Sequence, residues 1–159
     1  MENIRIQIDS EIENLLPTTY KILQSAQLTV HPYVYKVILS GSRGLAGDFK
    51  DDSDIDLSLL VENDRFHNAE DKEKVLREIL DTTLQAWKST VELDTVAVFN
   101  INNCGLECFD SISFNHTSCK ETGIDCMGLY KTQKGFNGFV PKIGIDIRKI
   151  CPTVTVWER

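Results

Sequence analysis

Two stretches decide the reading of this chain: Tyr33-Val34-Tyr35-Lys36-Val37-Ile38-Leu39-Ser40-Gly41-Ser42-Arg43-Gly44 and Ser53-Asp54-Ile55-Asp56-Leu57-Ser58-Leu59-Leu60-Val61. The first follows a break at His31-Pro32 and is dense in β-branched and aromatic residues. It predicts a strand from Tyr33 to Leu39, apolar enough at Val34, Tyr35, Val37, Ile38 and Leu39 to be buried on both faces. A glycine turn ends it. A polar loop then leads to a second strand, Asp54 to Val61. Side chains alternate along a strand, so Asp54, Asp56 and Ser58 share one face while Ile55, Leu57 and Leu59 share the other. The apolar set packs a core. The polar set holds two carboxylates about 7 Å apart at their Cα atoms.

Two such charges repel by about 2 kcal/mol at an effective dielectric of about 20. A fold gains nothing from that unless a cation sits between them. Mg²⁺ is the hard ion that oxygen ligands select, and it keeps room for waters and substrate phosphates. A two-metal site, with ions about 3.5–4 Å apart, matches a carboxylate pair of this reach. The run Thr90 to Phe99 returns to strand character and offers a third carboxylate in Asp94, with Glu92 on the same face as a lesser substitute. An ionised side chain inside an otherwise apolar strand needs a partner or a metal.

Gly41-Ser42 follows a buried strand directly, so its backbone N–H groups and the Ser42 hydroxyl can face an anion. Glycine lets the backbone come close to a phosphate. Arg43 offers either a phosphate partner or a solvated turn residue. No Gly-Lys-Ser/Thr and no G-x-G-x-x-G follows, which excludes a P-loop and a dinucleotide fingerprint.

Working outward, Ser10-Glu11-Ile12-Glu13 has the form of a capping box. Ile12, Leu15, Leu16, Tyr20, Leu23 and Ala26 recur at helical spacing, predicting one or two helices over about 10–29, with Pro17 as a kink or a second start. Asn68 is a candidate N-cap, with Glu70 and Asp71 suited to the helix dipole. Val75, Leu76, Ile79, Leu80, Leu84 and Trp87 form one face of a helix to about Lys88. Residues 102–126 are polar and only loosely periodic. Five of the nine glycines fall between Gly123 and Gly144, which suggests turns and short strands, and strand pieces are expected around Pro152.

The chain has 159 residues, enough for one domain with a sizeable core. No apolar run approaches the roughly 20 residues that span a bilayer, so no membrane association is expected. The N-terminus lacks a secretory pattern, which makes a cytoplasmic protein the default. Five cysteines are an odd number and favour free thiols. Cys104, Cys108, His116, Cys119 and Cys126 fit no regular zinc spacing. A net charge of −7 argues against a nucleic-acid partner. From Gly128 onward the balance reverses, with six bases (Lys131, Lys134, Lys142, Arg148, Lys149, Arg159) against Asp146 and Glu158. A solvated face is the favoured reading of that tail over one that faces a triphosphate across the acidic cleft. His31 and His67 read as loop residues without a catalytic partner.

Ile38-Leu39-Ser40-Gly41-Ser42-Arg43-Gly44, Ser53-Asp54-Ile55-Asp56-Leu57 and Leu93-Asp94 together resemble the nucleotidyltransferase superfamily of DNA polymerase β type, its minimal bacterial members in particular. The likeness covers about residues 33–99. Eleven residues separate Ser42 from Asp54, one more than in many minimal members. The resemblance implies an α+β fold, a short mixed β-sheet flanked by helices. It implies Asp54 and Asp56 as ligands of the catalytic and nucleotide-bound Mg²⁺, and Asp94 as a further ligand or general base. Gly41 and Ser42 would contact the β- and γ-phosphates. The implied reaction moves a nucleoside monophosphate, AMP from ATP, to a hydroxyl of a small molecule or protein, releasing pyrophosphate. Minimal members of the family are often paired with a helical HEPN toxin, and others modify aminoglycoside-type antibiotics. At this length a homodimer or partner chain would complete the acceptor site. The alternatives are a non-catalytic nucleotide-binding module and an antitoxin that works by binding alone.

Overall fold

Residues 2–101, 127–140 and 152–159 are described by a computed structural model. In chain order the elements are β1 (Ile4–Arg5), α1 (Ser10–Leu15), α2 (Pro17–Ser25), β2 (Thr29–Val30), β3 (Val34–Ser40), β4 (Ile55–Val61), α3 (Asn63–His67), α4 (Lys72–Ala86), β5 (Leu93–Asn100), β6 (Met127–Lys131), β7 (Gly138–Phe139) and β8 (Val154–Glu158). Six strands form one mixed sheet in the order β7-β6-β5-β4-β3-β8, and β1 pairs with β2 in a small separate ribbon. The architecture is α+β.

The two decisive stretches lie side by side at the sheet's centre. β3 and β4 are antiparallel, with Leu39 opposite Leu57 and Ser40 opposite Asp56. β4 and β5 are parallel, as the intervening helices α3 and α4 require, with Asp56 opposite Asp94. Alternation then sorts the side chains. Ile55, Leu57, Leu59 and Val61 join Leu93, Ala97 and Phe99 in one core with Ile12, Leu23, Leu76, Ile79 and Leu80 from the helices. The opposite face carries a smaller cluster of Ile38, Leu60, Val98, Met127 and Leu129. Leu57, Leu59 and Leu60 are essentially inaccessible, and truncating any one of them to alanine would cost about 2–5 kcal/mol.

The helices depart from the sequence reading at their ends. Asp9, rather than Ser10, caps α1 by accepting from the Glu11 N–H at 3.0 Å. Leu16 leaves the helical region (φ −141°, ψ 67°), and Pro17 opens α2. That break resets the helical period, so Ile12 and Leu23 are buried while Leu15 is exposed. Asp71, not Asn68, caps α4 by accepting from the Lys74 N–H at 3.1 Å. Asn68 instead ends α3, which the periodicity did not announce. His67 closes that short helix and hydrogen-bonds the Asn100 carbonyl at 2.6 Å. The strand expected after Pro152 is present as β8, lying against β3. The cysteines and His116 lie outside the described residues. Among the described residues, no helix is long and apolar enough to cross a membrane.

Candidate metal centre

Asp56 and Asp94 are each the second residue of their strand, directly paired across the parallel β4–β5 ladder. Their side chains project to the face opposite the helices, continuing the row of Leu60 and Val98. Asp54 stands just before β4 and completes a group of three. One carboxylate oxygen from each of Asp54, Asp56 and Asp94 lies within 4.8 Å of the others, and all three residues are partly buried. The sequence named all three, and the fold brings them together.

Gly41 shapes the wall of this group. Its φ of +78° belongs to the left-handed region, and a Cβ there would fall 2.0 Å from Asp56 Oδ2. Any side chain would displace the carboxylate. Glycine is needed both for the turn and for the close approach of backbone to Asp56. The turn is closed by the Gly44 N–H donating to the Gly41 carbonyl at 3.0 Å. Ser42 sits on it, partly buried, beside the carboxylates' strand.

Arg43 is turned into the loop. It is 4% exposed, so it is not a solvated turn residue. Its Nε donates to the Ser53 carbonyl at 2.6 Å, and Nη2 reaches the Lys50 and Asp51 carbonyls at 3.2 and 3.3 Å. The guanidinium also lies over the Phe49 ring, and the Arg43 carbonyl accepts from Thr19 Oγ1 of α2 at 2.6 Å. Arg43 therefore ties both ends of the 42–54 loop to each other and to α2. The planar fork of donors lets one side chain reach three loop carbonyls at once. It fixes Ser53, and with it the entry of Asp54.

The basic tail supplies what the sequence reading missed. Alternation along β6 puts Lys131 on the face of Leu129, the carboxylate face. Lys131 Nζ pairs with Asp94 Oδ1, both side chains being less than a fifth exposed. Lys134, in the β6–β7 turn, reaches Asp54 Oδ2 at 3.3 Å and Glu92 Oε1 at 3.1 Å. Between them Gln133 behaves as a strand's backbone would. Its Oε1 accepts from the Thr95 N–H at 3.0 Å and its Nε2 donates to the Leu93 carbonyl at 2.8 Å. The peptide groups on either side of Asp94 are thus held by one side chain. Arg159 is also paired, with Glu62 and the Val34 carbonyl. The solvated-face reading of the tail fails at Lys131, whereas Lys134 and Arg159 stay exposed while ion-paired. Lys142, Arg148 and Lys149 lie outside the described residues.

The electrostatics follow from the crowding. Burial first, then the charges of Asp54 and Asp94 and a hydrogen bond to Asp94, push Asp56 up to about 7, with Lys131 opposing. Two ammonium groups, from Lys131 and Lys134, flank the carboxylates. Among the described residues the donor set is oxygen only. It suits a hard cation over a soft one.

No protein-family model, curated protein or solved structure matches this chain.

Proposed function

We propose that this chain is a Mg²⁺-dependent nucleotidyltransferase of the polymerase β-like type, which transfers AMP from ATP to a hydroxyl of a small molecule or protein. The observation that carries the reading is the Asp54–Asp56–Asp94 group closed against the backbone of Gly41. The order of elements supports it: antiparallel β3–β4 joined through the glycine turn, then parallel β4–β5 through a helix.

Asp54, Asp56 and Asp94 would hold the metal, two ions when nucleotide is present. Once bound, Mg²⁺ neutralises charge on the phosphates and on the attacking oxygen. Gly41 and Ser42, on the turn that follows β3, would receive the β- and γ-phosphates through backbone N–H groups and the Ser42 hydroxyl. The acceptor oxygen forms a bond to the α-phosphorus while the bond to the bridging oxygen of the β-phosphate breaks. Pyrophosphate leaves. The acceptor's proton would pass to a carboxylate, Asp94 where it serves as base and not as metal ligand. The protein's contribution is chiefly positioning and preorganised charge.

A second reading has an observation of its own. Lys131 and Lys134 already offset two of the three carboxylate charges, so the group is tolerable in a nucleotide-binding module or an antitoxin that never turns over. Transfer of label from α-³²P-ATP with Mg²⁺ separates the two, comparing wild type with Asp54→Asn and Asp56→Asn. The enzyme reading expects pyrophosphate release that both variants lose. ATP binding without pyrophosphate release from any acceptor would leave the binding module.

A further inference from the structure

We propose that Lys131 and Lys134 are exchangeable counter-ions: they hold the carboxylates while the site lacks metal, and they transfer to the polyphosphate when a metal–triphosphate complex enters. The proposal rests on the metal-and-nucleotide reading above and names two further binding residues for it.

Both lysines come from one hairpin, yet they grip opposite sides of the carboxylate group, Asp94 for Lys131 and Asp54 for Lys134. The Lys131 side chain is only 15% exposed. An ammonium so placed needs an anion at all times, because burying it unpaired is costly. A divalent cation arriving alone would compete with both ammonium groups for the same oxygens and leave Lys131 without a counter-charge. Arriving with a polyphosphate, it brings the replacement anion with it. The lysine stems are long and flexible enough to swing between the two partners. Gln133 keeps the hairpin docked on β5 through backbone bonds that involve neither carboxylate nor phosphate. Metal and polyphosphate binding are thereby coupled, each favouring the other.

The test measures Mn²⁺ binding by electron paramagnetic resonance on the full chain, first as the free ion and then as the preformed Mn²⁺–tripolyphosphate complex. Wild type is compared with Lys131→Met, Lys134→Met and Lys131→Arg. Free Mn²⁺ should bind about tenfold tighter to Lys131→Met and about threefold tighter to Lys134→Met, the second change being smaller because Lys134 is more exposed. The Mn²⁺–tripolyphosphate complex should bind both Met variants about tenfold more weakly, with Lys131→Arg restoring most of the affinity. The opposite signs are the signature. Lys134→Met changes an exposed side chain, so a misfolded Lys131→Met would not remove the test. Met variants that bind free Mn²⁺ no tighter than wild type, or the complex equally well, would overturn the exchange. Absence of Mn²⁺ binding in wild type and all variants would instead overturn the metal reading itself, and the exchange with it.

Discussion

Gly41 and Asp56 occupy adjoining space with no room for a methyl group between them: a Cβ on Gly41 would lie 2.0 Å from Asp56 Oδ2. The strand that ends at Ser40 and the strand that begins at Ile55 are in register at this level, Ser40 opposite Asp56. The turn must therefore leave β3 over the carboxylate. Gly41→Ala should cost about 1–3 kcal/mol from the left-handed φ alone, and it should also shift Asp56. A fall of at least about 100-fold in metal-dependent transfer is expected, with far-ultraviolet circular dichroism unchanged. Wild-type activity in a folded Gly41→Ala would show that the contact has no role.

The metal-free protein should lose stability as pH rises. Asp56 titrates at about 7 in the folded chain against an ordinary value of 3.8. The folded state thus binds more protons than the unfolded state between those two values, and stability falls as pH climbs from about 4 to 7. Asp56→Asn should flatten that slope and raise stability at pH 7. Saturating Mg²⁺ should oppose it, because the cation favours the ionised carboxylate. Urea midpoints at four pH values, with chelator and with Mg²⁺, check both signs.

Arg43 should behave as a structural tie. Arg43→Lys keeps the charge but loses the fork, and it should cost about 1–3 kcal/mol, since a buried cation loses most of its hydrogen bonds to the three loop carbonyls. Nucleotide affinity should fall only as far as the loop loosens. Unchanged thermal stability with a large loss of ATP affinity would instead restore Arg43 as a phosphate ligand.

Gln133→Leu removes the amide that pairs the Leu93 carbonyl and the Thr95 N–H. A loss of about 2 kcal/mol is expected from two buried backbone groups left unpaired. Hydrogen exchange at the Thr95 amide should quicken more than at Ala97, which lies within the β5–β6 ladder.

The part of the site that was legible in the sequence is the part set by local alternation. Asp54 and Asp56 sit two apart on the approach to β4, and an acid in an apolar strand marked Asp94. Gly41 announced a turn. The hairpin residues were not legible, because Lys131 meets Asp94 only after β6 pairs with β5 across a long segment, and nothing local to Lys-Thr-Gln-Lys encodes that register. Arg43 was ambiguous for a different reason: a cation beside a glycine turn has the same local sequence whether it points at solvent, at phosphate or back into the loop. The ribbon of β1 and β2 and the five-residue α3 are too short for periodicity to register. Leu15 keeps the helical spacing yet is exposed, because the Leu16–Pro17 break resets the helical phase.

The most direct test of the metal centre is a crystal grown with Mn²⁺ and a non-hydrolysable ATP analogue, examined by anomalous scattering at the manganese edge. The account predicts a manganese peak bounded by Asp54, Asp56 and Asp94, with a triphosphate oxygen completing its shell and Lys131 and Lys134 turned from the carboxylates toward the phosphates. No anomalous peak there, with both lysines still on Asp94 and Asp54 at saturating Mn²⁺ and nucleotide, would contradict it.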